Sequence, residues 1–119
     1  MAGKIVHFEV PSGDADRASA FYGGLFGYQI GDSMMEGVEY RMFQSAEDQG
    51  GAIMSSDRAG SGLIVYLDTD DIDASIAKVR ELGGTSDDKQ PVPTHGWFAA
   101  CKDLDGNSFS LWQSDPSAA

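Results

Sequence analysis

Ile5-Val-His-Phe-Glu-Val10, a break at Pro11-Ser-Gly13, then Ala15-Asp-Arg-Ala-Ser-Ala-Phe-Tyr-Gly-Gly-Leu-Phe26 closed by Gly27 read as strand, bend, helix and stop. The same sentence returns later in the chain. Leu63-Ile-Val-Tyr-Leu67 leads through Asp68-Thr-Asp-Asp71 into Ile72-Asp-Ala-Ser-Ile-Ala-Lys-Val-Arg-Glu-Leu82, closed by Gly83. An internal repeat of this kind constrains architecture more tightly than any single motif. It also sets the two halves against each other, and chemistry is expected where they differ.

Each half has its own punctuation. In the first strand Val6, Phe8 and Val10 alternate with Ile5, His7 and Glu9, so the two sets take opposite faces. Asp14 is placed to cap the first helix, Ala18, Phe21 or Tyr22 and Leu25 form its apolar stripe, and Gly27 stops it. Tyr28–Gly31 and Val38–Gln44 read as strands joined across a turn at Gly37, followed by a short strand over Ala52–Ser55. In the second half Ile72, Ile76 and Val79 form the helix stripe, opposite a solvated face of Asp73, Lys78, Arg80 and Glu81. Thr85–Gln90 reads as a strand, Pro91-Val-Pro93 as a rigid connection, Trp97–Lys102 and Ser108–Gln113 as a final hairpin around Asp103–Asn107. Module one covers about 4–55, a linker 56–62, module two about 63–113, and 114–119 is expected to fray. Neither module buries enough surface alone, so a single domain over 1–119 is expected.

Composition narrows the function classes. Eight basic against nineteen acidic residues give a net charge of −11. Such a surface repels nucleic acid and anionic membranes and attracts cations. No apolar run is long enough to cross a bilayer, and Met1-Ala-Gly-Lys4 leads straight into a strand with no signal-peptide core. The single cysteine, Cys101, excludes an internal disulfide and reads as a buried filler. A cytoplasmic protein without nucleic-acid or membrane partners is expected. Gly50-Gly51 and Gly83-Gly84 read as turns and do not cradle phosphate.

The opening strand with Asp14, Phe21-Tyr22 and Leu25-Phe26-Gly27 resembles the start of the vicinal oxygen chelate superfamily. So do Asp70-Asp71-Ile72-Asp73 with Gly83-Gly84, and Gly96-Trp-Phe-Ala99 running through Asp103-Leu-Asp-Gly-Asn107 to Phe109–Gln113. That superfamily includes glyoxalase I, extradiol dioxygenases, fosfomycin-resistance enzymes and bleomycin-binding proteins. The resemblance spans nearly the whole chain. It implies an α+β fold of two βαβββ modules with one helix each, a concave mixed sheet around a cavity, and a homodimer.

In metal-dependent members the resemblance implies a ligand on the first strand of each module and further ligands on later strands. His7 occupies the first such position. Its counterpart in module two is Ile64, the last-strand carboxylate position holds Ser110, and the short strand that carries an acidic ligand in glyoxalase I offers Ile53 and Met54. One imidazole does not hold a divalent ion against water. No cofactor is therefore expected. The remaining route to a divalent metal runs through His7 and Glu9, two apart on one strand face, with Asp68 or a partner-subunit residue completing the set.

The face away from the helices carries His7, Glu9, Tyr66, Asp68, Ser110 and Trp112, with Trp97 and Tyr40 as further candidates. Aromatic plates beside carboxylates suit an aromatic or cationic small molecule. His95 is expected in a loop at the rim. The leading reading is a metal-free small-molecule-binding protein of the glyoxalase/bleomycin-resistance type, with sequestration or resistance as its role. The alternative is an enzyme: a glyoxalase-type metal-dependent lyase or transferase, or a metal-free isomerase using His7 or Glu9 as base. A partner-binding module with a vestigial cavity is the third reading.

Overall fold

The computed structural model describes residues 3–33 and 39–119. Two helices and eight strands are found there: β1 (Ile5–Ser12), α1 (Ala15–Phe26), β2 (Tyr40–Ala46), β3 (Gln49–Ser55), β4 (Ile64–Asp68), α2 (Ile72–Glu81), β5 (Thr85–Ser86), β6 (Gln90–Val92), β7 (Gly96–Lys102) and β8 (Ser108–Ser114). This is the α+β architecture with mixed strand pairing that the repeat implied. The chain divides into two compact units, Val6–Ile64 and Met1–Ile5 with Val65–Ala119.

In the unit Val6–Ile64 the strand order is β2-β3-β1. β1 runs parallel to β3 and β2 antiparallel to it. Asp14 caps α1 by accepting from the Arg17 N–H at 3.1 Å, and Gly27 ends it at φ 74°, donating to the Gly23 carbonyl. Only a residue without Cβ takes that left-handed turn at no cost. The register aligns Val10 with Ile53 and Phe8 with Gly51. These positions meet α1 in a core of Val10, Ala15, Phe43 and the fully buried Ile53, with Phe8, Ala18, Tyr22, Tyr28 and Ile30 packed around it. The Phe8 ring lies directly over Gly51, where a Cβ would stand 2.9 Å from a ring carbon. Arg41 ties β2 to the helix through Asp16 at 2.7 Å and Ser19 at 3.3 Å.

The second unit repeats the plan with the order β4-β8-β7-β5, and β6 also pairs with β7. β4 and β8 are parallel; β7 is antiparallel to β8, β5 and β6. Asp71 caps α2 by accepting from the Ala74 N–H, and the Gln113 side chain accepts from the Ile72 N–H at 2.8 Å. The apolar stripe of α2 closes on Ala99, Cys101 and Leu111, with Val79, Trp97 and Phe109 beside them. Here Trp112 lies over Gly96, where a Cβ would come within 2.6 Å of the indole.

Several expectations need correction. Residues 28–31 form no strand; Gly31 contributes one backbone bond, to the Met42 carbonyl at 3.0 Å. The turn at Gly37 and the start of the next strand at Val38 lie outside the described residues. β1 continues through Pro11, paired with Met54. Pro91 is not a connector: Gln90–Val92 pairs with β7, on a strand at the margin where a missing N–H is tolerated. The C-terminal segment is not frayed. Ala118 is 3% exposed, its carbonyl accepts the Thr94 N–H at 3.0 Å, and Asp115 donates its N–H to the His95 carbonyl and accepts the Trp97 indole N–H. That clasp supports Thr94 at φ 67°, an uncommon value for a β-branched residue.

Gly96→Ala forces the new methyl into the Trp112 ring and the Gln113 carbonyl. It should destabilise the fold by about 1–3 kcal/mol, read as a lowered urea midpoint with unchanged slope.

Candidate functional site

Alternation along β1 puts Phe8 and Val10 under α1, so His7 and Glu9 take the opposite face. Across the same face the β2–β3 register brings Tyr40 beside Met54 and Met42 beside Ala52, while Glu9 pairs with Ala52. Three side chains meet there. The Tyr40 hydroxyl donates to Glu9 Oε2 at 2.8 Å and lies 2.9 Å from His7 Nε2. The His7 and Tyr40 rings are stacked at 6.3 Å between centroids, 20° from parallel. Glu9 is 7% exposed. A carboxylate so deeply placed needs a donor, and the phenol is one. Among the described residues no buried side-chain nitrogen or oxygen lacks a hydrogen-bond partner.

Burial holds His7 below the ordinary imidazole pKa of 6.5, because the charged ring is disfavoured away from water. The ring is therefore neutral at neutral pH. Glu39 is held low by hydrogen bonds from Ser33 and Arg41, at the exposed end of β2.

The other sequence candidates belong to the second unit. Tyr66 is aligned with Ser110 and Asp68 with Trp112 on the adjacent parallel strands, so these four share one face. Ser110 is 3% exposed. Asp68 accepts from the Lys4 N–H at 2.8 Å, and its backbone also pairs with Gly3 and Lys4. Trp112 donates to the Ser114 hydroxyl at 3.0 Å. Trp97 does not join them. The β7–β8 register sets it opposite Gln113 and on the side that packs against α2, with Lys89 Nζ 4.6 Å above its ring. Its parity was unreadable from sequence because the hairpin register fixes it. His95 sits in the turn before β7, its N–H on the Val92 carbonyl. Cys101 is buried against Ser86, and burial raises its thiol pKa, so it is a packing residue.

A cleft of about 560 Å³ opens at the outer side of β2, lined by Gly27, Tyr28, Gln29, Met42, Phe43 and Gln44. Sequence reading missed it, since its walls come from the post-helix segment and the edge strand. Its volume is within the usual ligand-site range.

The donor set does not suit the superfamily's divalent ion. His7 and Glu9 are two donors, and the Tyr40 hydroxyl already stands against His7 Nε2. Among the described residues no group of three or more His, Cys, Asp or Glu is placed to hold a metal.

Comparison with known proteins agrees with this geometry at the level of fold. The model of the glyoxalase-like domain family matches residues 7–112. The chain belongs to that family, within the vicinal oxygen chelate superfamily. Similar solved structures include a hypothetical protein from Bacillus halodurans C-125 (14% identity, TM-score 0.74, covering 98% of both chains). Methylmalonyl-CoA epimerase from Mycobacterium tuberculosis is similar at 14% identity and TM-score 0.71, covering 96% of this chain and 89% of that one. A variant of the Streptomyces coelicolor methylmalonyl-CoA epimerase, in complex with 2-nitronate-propionyl-CoA, shares 17% identity at TM-score 0.69, over 100% and 99% of the two chains. No curated protein sequence matches the chain.

The lowered His7 pKa carries a signed prediction. The unfolded chain takes up a proton near pH 6.5 and the folded chain only below it. Stability contributed by neutral His7 is therefore full above 6.5 and declines as pH falls through the window beneath it. An NMR titration of the His7 ring should give a midpoint below 6.5, and His7→Gln should remove that part of the acid sensitivity.

Proposed function

We propose that this chain is a small-molecule-binding protein of the glyoxalase type, working without the superfamily's usual divalent ion, with His7, Tyr40 and Glu9 as its polar recognition point. The contact of one tyrosine hydroxyl with both a buried carboxylate and a neutral imidazole carries the reading. The chain of bonds holds three polar groups in fixed relative positions, which lowers the ordering cost of binding. The residues Val6–Ile64 carry three arginines against nine acidic residues, so a cationic or neutral aromatic ligand is favoured over an anion. Sequestration of such a compound in the cytoplasm is the role that fits.

A second reading is a metal-free isomerase. A carboxylate bonded to a phenol bonded to an imidazole is a chain along which protons can move. Several fold neighbours are named methylmalonyl-CoA epimerase, and proton transfer would relate this chain to their activity.

Calorimetric screening with aromatic amines and alcohols should find a ligand, and Tyr40→Phe should weaken it roughly tenfold with circular dichroism unchanged. Solvent deuterium entering the ligand at a carbon would replace the binding reading with the isomerase. Stoichiometric divalent metal that survives dialysis and disappears in His7→Ala would overturn both. The homodimer implied by the resemblance belongs to the same proposal; light scattering should give a mass near twice 12.7 kDa.

A further inference from the structure

We propose that the cleft beside β2 is a strand-addition site for an extended, basic segment of another polypeptide that carries an aromatic side chain. The ladder between β2 and β3 sets the geometry. Ser55 donates its N–H to the Glu39 carbonyl at 3.0 Å. In an antiparallel pair Glu39, Arg41 and Phe43 then turn their backbone groups to β3, and Tyr40, Met42 and Gln44 turn theirs outward. β2 ends the sheet, so this outward row is an open edge. Its first half is taken. Ser33 Oγ accepts the Tyr40 N–H at 3.1 Å, and the Met42 carbonyl accepts the Gly31 N–H at 3.0 Å. The chain that leaves α1 at Gly27 thus lies along β2 at two positions and goes no further. Among the described residues the outward backbone N–H and C=O of Gln44 make no hydrogen bond. Gly27, Tyr28 and Gln29 stand across the gap and complete the cleft of about 560 Å³.

A donor and an acceptor on one edge residue are what an extended backbone complements, and sheet edges take up peptides in this way. The walls select the side chains. Tyr28 stacks on Phe43 with centroids 5.0 Å apart, and the exposed Phe26 ring lies 5.2 Å from Tyr28. Met42, half exposed, adds a flexible apolar side chain. An incoming aromatic ring finds partners there. Exposed carboxylates stand at both ends of the open edge: Asp32 beside the Gly31 contact, and Glu47 and Asp48 in the turn from β2 to β3. Arg41 is the cation of β2, and its guanidinium is engaged by Asp16, Ser19 and Glu39. Lysine side chains on the added strand answer these ends. A second copy of this chain does not, since it brings the same acidic turn and an edge already half covered.

The test is an amide NMR titration of the whole protein with the capped peptide Lys-Val-Lys-Phe-Lys-Val-Lys. Binding should shift the Gln44, Tyr28 and Gln29 amides and slow hydrogen exchange at Gln44. N-methylation of the peptide's three apolar residues, or of its two central lysines, leaves every charge in place and removes the donors of one strand edge. One of the two methylated forms should bind roughly tenfold more weakly. The counterpart with glutamate at every lysine should bind worst. Replacing Glu47 and Asp48 together by lysine, on an exposed turn, should weaken the lysine peptide roughly fivefold with circular dichroism unchanged. Equal binding of both methylated forms overturns strand pairing, and equal binding of the glutamate peptide overturns the basic class. Shifts that spare Gln44, or no binding at millimolar peptide, overturn the site. Phenylalanine amide binding as tightly as the peptide makes the cleft a small-molecule pocket. Protection of Gln44 that grows with protein concentration alone gives the edge to a second copy. Either result overturns the proposal. None of these readouts involves the His7–Tyr40–Glu9 contact, so the binding reading above stands or falls separately.

Discussion

A strand that lends one face to a core must turn every second side chain the other way, and β1 shows how much follows from that. Phe8 and Val10 are drawn under α1, with Ile53 and Phe43 closing the layer. His7 and Glu9 are thereby committed to the opposite face, whatever their own preferences. A carboxylate delivered to a buried position requires a donor, and Tyr40 of β2 supplies it. The site is therefore a consequence of core packing on the other side of the same strand. A shift of register by one residue would exchange the two sets and lose both.

The second unit uses the same alternation with different side chains. Leu111, Ala99 and Cys101 face α2, and Tyr66, Asp68, Ser110 and Trp112 take the far side. Even the close approaches correspond: Phe8 covers Gly51 in one unit and Trp112 covers Gly96 in the other. These two rings lie on opposite kinds of face, however. Phe8 belongs to the helix-covered core, whereas Trp112 shares the face of Ser110. The repeat conserves the device of a ring laid over a glycine and redirects it, which is how two similar halves come to carry unlike chemistry.

Much of this was legible in the residues themselves. Asp14 and Gly27 act locally, through one or two backbone groups of their own helix, so sequence reports them faithfully. Strand parity was equally plain for His7 and Glu9, because the alternation with Phe8 and Val10 is unbroken. What was hidden depended on partners far along the chain. Trp97 looked like a cavity residue until the register with β8 set it against α2. Tyr40 was a candidate with no visible partner, since nothing local states that β2 lies where its hydroxyl meets Glu9 across 31 residues. Pro91 and the C-terminal residues failed for the same reason. Composition describes what a segment would do alone, and both segments are held by neighbours.

The C-terminal clasp has one more consequence. Asp115 accepts the Trp97 indole N–H, and the same indole carries the Lys89 ammonium on its face. Asp115 and Lys89 therefore grip one aromatic ring by its edge and its face, while the Lys89 ammonium is also paired directly with Asp73 at 2.9 Å. The Trp97 indole becomes an electrostatic spacer between them, and its environment reports on whether the chain's last turn is latched. Fluorescence from this tryptophan is in effect a built-in gauge of how firmly that end of the protein is fastened.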